Sequence, residues 1–198
     1  VCVSQENEQL ILWVAIADVA HYVTKDQLLD REAMFRGNSI YLAHRVIPML
    51  PHELSSGICS LKPNELRLSL VCKITYNLHG ILQKYELFEA VIKSRFRFTY
   101  TLVEYLFANP TERKTNCTSE IETSLLLMQK LAELLMKQKN ERGALNFDIP
   151  EGHVDFDQTT QLPKNIHSRE RLFSHELIEV FMLQANECVA LFLHDNKT

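Results

Sequence analysis

The spacing of apolar and polar residues changes several times along the chain, and each change marks an element. Gln9 to Val19 is a run rich in Leu, Ile and Val with Trp13, which predicts a buried strand. Asp26 to Arg36 sets Leu28, Leu29, Ala33 and Met34 among charges, the pattern of a short helix ending near Gly37. Asn38 to Leu42 is a brief extended piece. Val46 to Pro51 carries two prolines, which force an extended path and exclude a central strand. A helical turn is expected over Pro51 to Ser55, with proline near its start.

Alternation is clearest in Leu66 to Tyr76 and Ile81 to Ile92, joined by Asn77-Leu78-His79-Gly80. This predicts an antiparallel hairpin whose second strand runs on into Lys93–Phe98. Thr99 is placed to cap a helix through Phe107, followed by a polar loop over Asn109–Ser119. Ser119 to Glu141 repeats Leu125, Met128, Leu131, Leu135 and Met136 at helical spacing and stops before Gly143. Two short strands are expected around Pro150-Glu151-Gly152, within Ala144–Asp157. A last helix is expected from Ser168 to about His194. The fold class is therefore α+β, with mixed or antiparallel sheet and packed helices, and with no internal repeat or domain linker.

Composition narrows the classes. The 198 residues are 46% hydrophobic and 23% charged, with 5 Gly and 6 Pro, the balance of a globular domain rather than low-complexity chain. The longest apolar run, Leu10–Ala17, is strand-sized and falls short of the roughly 18 residues of a membrane span, which argues against an integral membrane protein. Cys2, Cys59, Cys72, Cys117 and Cys188 are odd in number and contain no C-x-x-C, so reduced thiols are expected rather than a zinc site or disulfide framework. No secretion signal is legible at Val1–Glu8, and a cytoplasmic location is expected. A chain that opens on Val1 rather than Met reads as a processed or excised piece.

Charge adds a second layer. The net charge is −4, yet Arg31 to Tyr100 carries +5 and the remainder −9. A basic segment inside an acidic chain can face a polyanion, or can be a set of ordinary solvated strand faces. Arg95-Phe96-Arg97-Phe98 with Tyr100 alternates cations with flat rings, a pattern suited to phosphates and unstacked bases and shared with core strands. His175-Glu176-Leu177-Ile178-Glu179 opens like a zincin helix but ends in Glu, so a second imidazole one turn on is missing. The remaining histidines lack ligand spacing. Asp155-Phe156-Asp157 sets two carboxylates on one strand face, either a Mg²⁺ holder or a solvated face. Phosphate-binding glycine loops and the G-x-S-x-G elbow are absent from the sequence.

A longer pattern runs through the chain in order. It comprises Trp13–Val19, Leu29–Ala33, Arg36–Tyr41, Val46–Pro51, Cys59–Leu61, Glu65–Leu68, Glu89–Ser94, Arg97–Tyr100, Arg142–Ala144 with Phe147, and Leu177–Glu179 with Ala185-Asn186. This resembles the RNB catalytic domain of the ribonuclease II and ribonuclease R exoribonucleases, on the side of bacterial ribonuclease R, across residues 1–198 as one partial domain. The resemblance implies processive hydrolysis of single-stranded RNA from its 3′ end to nucleotides, with Mg²⁺ held by spaced aspartates. Those aspartates are expected before Val1, and a Ser-Pro-Ile-Arg-Arg stretch beyond Thr198. The chain alone is therefore expected to have no complete catalytic set, no resident metal, no tight Mg²⁺ binding and no nuclease activity.

The resemblance also assigns residues. Tyr41 and Phe147 match an aromatic pair that clamps the terminal nucleotides, Glu179 matches a glutamate near the terminal ribose, and Tyr100 matches a channel tyrosine. Arg36 and Arg97 are expected phosphate contacts, from charge and neighbourhood. Asp18 is read as structural. The expected partner is single-stranded RNA, with no membrane and no small-molecule cofactor, and an exposed sheet edge invites self-association. Two other classes stay open: a non-catalytic RNA-binding or interaction protein on the same scaffold, and a structural domain that binds no RNA.

Overall fold

The computed structural model describes residues 1–109, 118–144, 152–157, 159–160, 162–168 and 170–196. In chain order the elements are β1 (Cys2–Glu6), β2 (Gln9–Ala17), α1 (Leu28–Arg36), β3 (Ile40–Tyr41), β4 (Val46–Ile47), a wide helical turn (Glu53–Ile58), β5 (Leu66–Asn77), β6 (Leu82–Lys93), α2 (Tyr100–Ala108), α3 (Ser119–Glu141), β7 (Gly152–Phe156), β8 (Pro163–Ser168) and α4 (Phe173–Asp195). They fall into two compact units. One joins Val1–Ala17, Lys62–Leu145 and Leu172–Thr198, the other Asp18–Leu61 and Asn146–Arg171.

The first unit is a four-stranded antiparallel sheet, ordered β1-β2-β5-β6, with helices packed on one face. Register places Leu10, Leu12 and Val14 of β2 opposite Tyr76, Ile74 and Cys72 of β5, so period-2 alternation sends all six to the same side. There they meet Leu125, Met128, Leu131 and Leu135 of α3 and Leu177, Val180, Phe181 and Ala185 of α4. The edge strand β1 is covered from α3: the Ser124 hydroxyl accepts from Val3 N–H (3.1 Å) and donates to Val3 C=O (2.8 Å). At the β5–β6 turn, Asn77 Oδ1 accepts from His79 and Ile81 N–H, and Gln138 of α3 donates to the His79 carbonyl (3.0 Å).

The second unit holds α1, the β3–β4 hairpin, the 53–58 turn and the β7–β8 hairpin. Arg36 and Ser39 tie the end of α1 to the segment after β4: Arg36 Nη1 donates to the Pro48 carbonyl (3.1 Å), and Ser39 Oγ accepts from Met49 N–H (2.9 Å). None of α1's residues is buried, and Leu28, Met34 and Phe35 are exposed.

Three expectations are corrected. First, the strand into Lys93–Phe98 stops at Lys93; beyond it Phe96 and Phe98 pack ring on ring at 4.4 Å rather than pointing down a sheet face. Second, the strand pair expected around Pro150 is instead β7 with β8, whose partner strand lies downstream; residues 145–151 lie outside the described set, as does most of the 109–119 loop. Third, β8 takes Pro163–Ser168, so the last helix begins at Phe173 and not at Ser168. By length and composition alone, with a mean hydropathy of 1.4 in its most apolar window, α4 could cross a membrane, although Glu176, Glu179 and Glu187 interrupt it. Its apolar face lies in the core of the first unit. The β1 strand had no counterpart in the sequence reading.

Gly80 and Gly37 both sit at positive φ (75° and 73°), where a side chain is strained. A Cβ on Gly80 would also stand 3.0 Å from Leu134 Cβ and 3.1 Å from Gln138 Nε2, while one on Gly37 meets nothing within 4 Å. Gly37→Ala is expected to cost about 1 kcal/mol. Gly80→Ala is expected to cost at least about 1 kcal/mol more, because α3 must shift. Urea denaturation of the two variants checks this; equal losses would show that α3 gives way freely.

Candidate functional site

In the first unit, two helix starts are bound to each other. Thr99 caps α2, its hydroxyl accepting from Leu102 N–H (3.3 Å), so Tyr100 is the first helical residue. At the start of α4, Ser174 N–H donates to Glu104 Oε2 (3.1 Å) and Ser174 Oγ donates to the Tyr100 carbonyl (3.0 Å). The Glu104 carboxylate thereby satisfies one of the orphan N–H groups at the positive end of α4. His175 Nδ1 accepts from Leu172 N–H (3.1 Å), which leaves the proton of a neutral imidazole on Nε2. The same imidazole lies flat on Tyr100, with centroids 4.1 Å apart and planes at 27°. Tyr100 remains 41% exposed.

One turn further along α4, Glu179 Oε1 accepts from Lys139 Nζ of α3 (3.1 Å). Next to that pair is an open groove of about 360 Å³ lined by Lys139, Arg142, Val180, Gln184 and Glu187. Tyr100 and Glu179 are thus brought onto one helix-end region of the first unit. Arg97 is exposed three residues before Tyr100, whereas Arg95 is paired with Glu120 at 2.5 Å.

The second unit carries the other predicted residues. Tyr41 ends β3, opposite Val46, and is 79% exposed. Arg36 Nε pairs with Glu32 Oε1 at 2.8 Å, so its cation is shared with a carboxylate as well as with the Pro48 carbonyl. Phe147 lies outside the described residues.

The two carboxylates expected on one strand face do not form a pair. β7 ends at Phe156 after an irregularity following Asp155, and Asp157 turns into the loop. There the Thr160 and Thr159 N–H groups and the Thr160 hydroxyl hold its carboxyl below the usual carboxylate range. Asp155 instead faces His167 Nδ1 (3.3 Å) and His153 Nε2 (3.8 Å). Among the described residues, no group of three His, Cys, Asp or Glu side chains is arranged to hold a metal ion. The described residues therefore do not fit a Mg²⁺ centre, and no metal-dependent step is assigned to them. His175, the opening residue of the zincin-like run, spends Nδ1 on the Leu172 N–H. The sequence pattern singled out His175 for a metal rather than for this region and gave no sign of Ser174 or Lys139; the available signal was the one-turn spacing of His175 and Glu179.

The first unit is thus an antiparallel sheet with helices on one face, where Tyr100 of α2 packs against the start of the last helix, which carries Glu179. A family model described as RNB domain matches residues 1–198, and the chain belongs to that family. Within it, the chain is 40% identical over 185 residues to "Ribonuclease R 1" of Lactococcus lactis subsp. lactis (strain IL1403), covering 93% of this chain and 22% of that protein. It is 38% identical over 186 residues to ribonuclease R of Escherichia coli (strain K12), covering 94% of this chain and 23% of that protein. Mycoplasma genitalium RNase R, solved in complex with ribose methylated single-stranded RNA, superposes with a TM-score of 0.93 at 36% identity, over 99% of this chain and 30% of that one. The chain spans about a quarter of the length of the curated relatives it matches.

Two buried serines are expected to respond in opposite directions. Ser174→Ala removes the hydroxyl that joins α4 to the Tyr100 carbonyl, at a cost of about 1 kcal/mol. Ser69 Oγ is buried with no hydrogen-bond partner among the described residues, so Ser69→Ala is expected to be neutral or stabilising by up to about 1 kcal/mol. Chemical denaturation of both variants checks the signs.

Proposed function

We propose that this chain is part of the catalytic domain of a cytoplasmic 3′→5′ exoribonuclease that degrades single-stranded RNA, and that it supplies contacts along the RNA path. The observation that carries this reading is the whole-chain RNB match together with 40% identity to a ribonuclease R. The solved relative bound to single-stranded RNA supports the choice of ligand.

On this reading residues 1–198 are one partial RNB domain. Tyr41 and Phe147 clamp the terminal nucleotides between aromatic faces, and Tyr100 stacks further along the strand. Glu179 accepts a hydrogen bond from a 2′-OH, the group by which a protein tells RNA from DNA. Arg97 neutralises phosphate, and Arg36 does so in exchange for its Glu32 partner. Hydrolysis in the parent protein depends on Mg²⁺. The chain by itself binds RNA without cutting it.

The test is a pair of assays on a labelled single-stranded oligo(rA). The chain is expected to bind the strand in a salt-sensitive manner and to leave its length unchanged in Mg²⁺. Glu179→Gln is expected to narrow the preference for RNA over the matching DNA strand by about fivefold or more, one hydrogen bond to a charged group being at stake. A 3′ ladder made by the chain alone would overturn the inactivity. Absence of binding would overturn the RNA reading and leave a structural domain.

A further inference from the structure

We propose that His175 is a positioning residue for Tyr100, forming with it a two-ring platform for an unpaired base. This rests on the reading of the chain as an RNA-contacting domain and assigns a role to a side chain that the reading does not use. The argument begins with what holds Tyr100. As the first residue of α2, it lacks a preceding helical turn to fix its side chain. Its backbone is fixed by the Ser174 hydroxyl on its carbonyl, and its ring by the imidazole 4.1 Å away and nearly parallel.

The imidazole is itself immobilised. Its Nδ1 is bound to Leu172 N–H, and the first turn of α4 is anchored through Ser174 N–H to Glu104. The ring therefore cannot swing away without giving up its hydrogen bond to the N-cap N–H. One face of the Tyr100 ring is covered by the imidazole, and the residue's remaining exposure leaves surface for a ligand. A base laid on the open side of the tyrosine ring continues the stack begun by His175. The ring is already held in one orientation, so less rotamer entropy is lost when RNA binds. Glu179, one turn along the same helix, is carried by the same backbone.

A cap and a stack make different demands on the side chain, which gives the test. Gln at the third helical position can reach back to the N-cap N–H, so His175→Gln keeps the cap and loses the ring. His175→Phe keeps the ring and loses the acceptor. Binding of short oligo(rA) and thermal unfolding are measured for the chain, for both variants and for Tyr100→Ala. His175→Gln is expected to weaken RNA binding about fivefold with Tm nearly unchanged, and His175→Phe to lower Tm while binding RNA close to the original affinity. Tyr100→Ala is expected to weaken binding about tenfold, as loss of a stacked base would.

If Tyr100→Ala weakens binding and His175→Gln does not, the positioning role is overturned while the RNA reading stands. If affinity follows Tm in both His175 variants, the residue is only a cap, and the proposal also fails. If neither Tyr100→Ala nor any His175 variant changes the affinity of a chain that does bind, the platform is overturned with its site. A folded chain that binds no RNA overturns both readings.

Discussion

The arrangement of the first unit depends on the burial of one face of β2 and β5 beneath α3 and α4. Leu10, Leu12 and Ile74 are fully buried there and meet Leu131 and Phe181, which are fully buried from the helix side. Burying side chains of this size contributes about 1.5–3 kcal/mol each, far more than any surface ion pair in the molecule. The strand register and the two helix axes are thereby fixed together, since a one-residue slip of β2 would turn its apolar face outward. Tyr76 shows how tightly the polar exceptions are managed. Its ring is buried among these residues, its hydroxyl reaches Gln184 Oε1 on α4 at 3.0 Å, and burial pushes its phenol up.

That packing decides where chemistry can occur. α4 is held along its middle by Leu177, Val180, Phe181 and Ala185, so its first turn projects from a rigid support toward α2. A helix start is the one place where backbone N–H groups face outward in search of acceptors. Glu104 fills that demand from α2 and draws Tyr100 to the same point. The His175 imidazole can then serve the N-cap N–H with one nitrogen and the tyrosine ring with its face. Tyr100 and Glu179 are separated by about eighty positions in sequence, yet the α2–α4 contact sets them within two turns of one helix.

Much of this was legible in the sequence where periodicity and punctuation agree. The β5–β6 hairpin announced itself by alternation plus Asn77 and Gly80, with bounds off by one residue apart from the run-on past Lys93, and α3 by its apolar stripe ending before Gly143, with bounds that match the structure. The failures have specific causes. β1 is short, half polar and turned by Glu6-Asn7-Glu8 without glycine, so its one buried residue, Val3, gives no period. Arg95–Phe98 alternates like a strand, but among the described residues no strand pairs with it, and pattern cannot supply a partner. β8 is exposed at every position and therefore leaves no hydrophobic signature at all. Candidate site residues were legible through family resemblance; the Tyr100–His175 stack was not, because a contact between two helix starts has no local pattern.

The aromatic residues sharpen that distinction. Residue type alone does not separate a ligand contact from a core residue: Tyr76 is fully buried, Tyr100 partly open and Tyr41 largely exposed. Hydrophobic burial accounts for the first, since its ring lies in the core under α4. It does not account for Tyr41, which sits on a two-residue strand of a small hairpin where an exposed ring adds little to stability. A flat ring held on ordered backbone and left in water is poorly used for folding and well suited to stacking, because every base offers it a face. The aromatics with least to do in the core are thus the ones left free to meet a ligand, which is the physical reason that exposure, and not residue type, separates Tyr41 and Tyr100 from Tyr76.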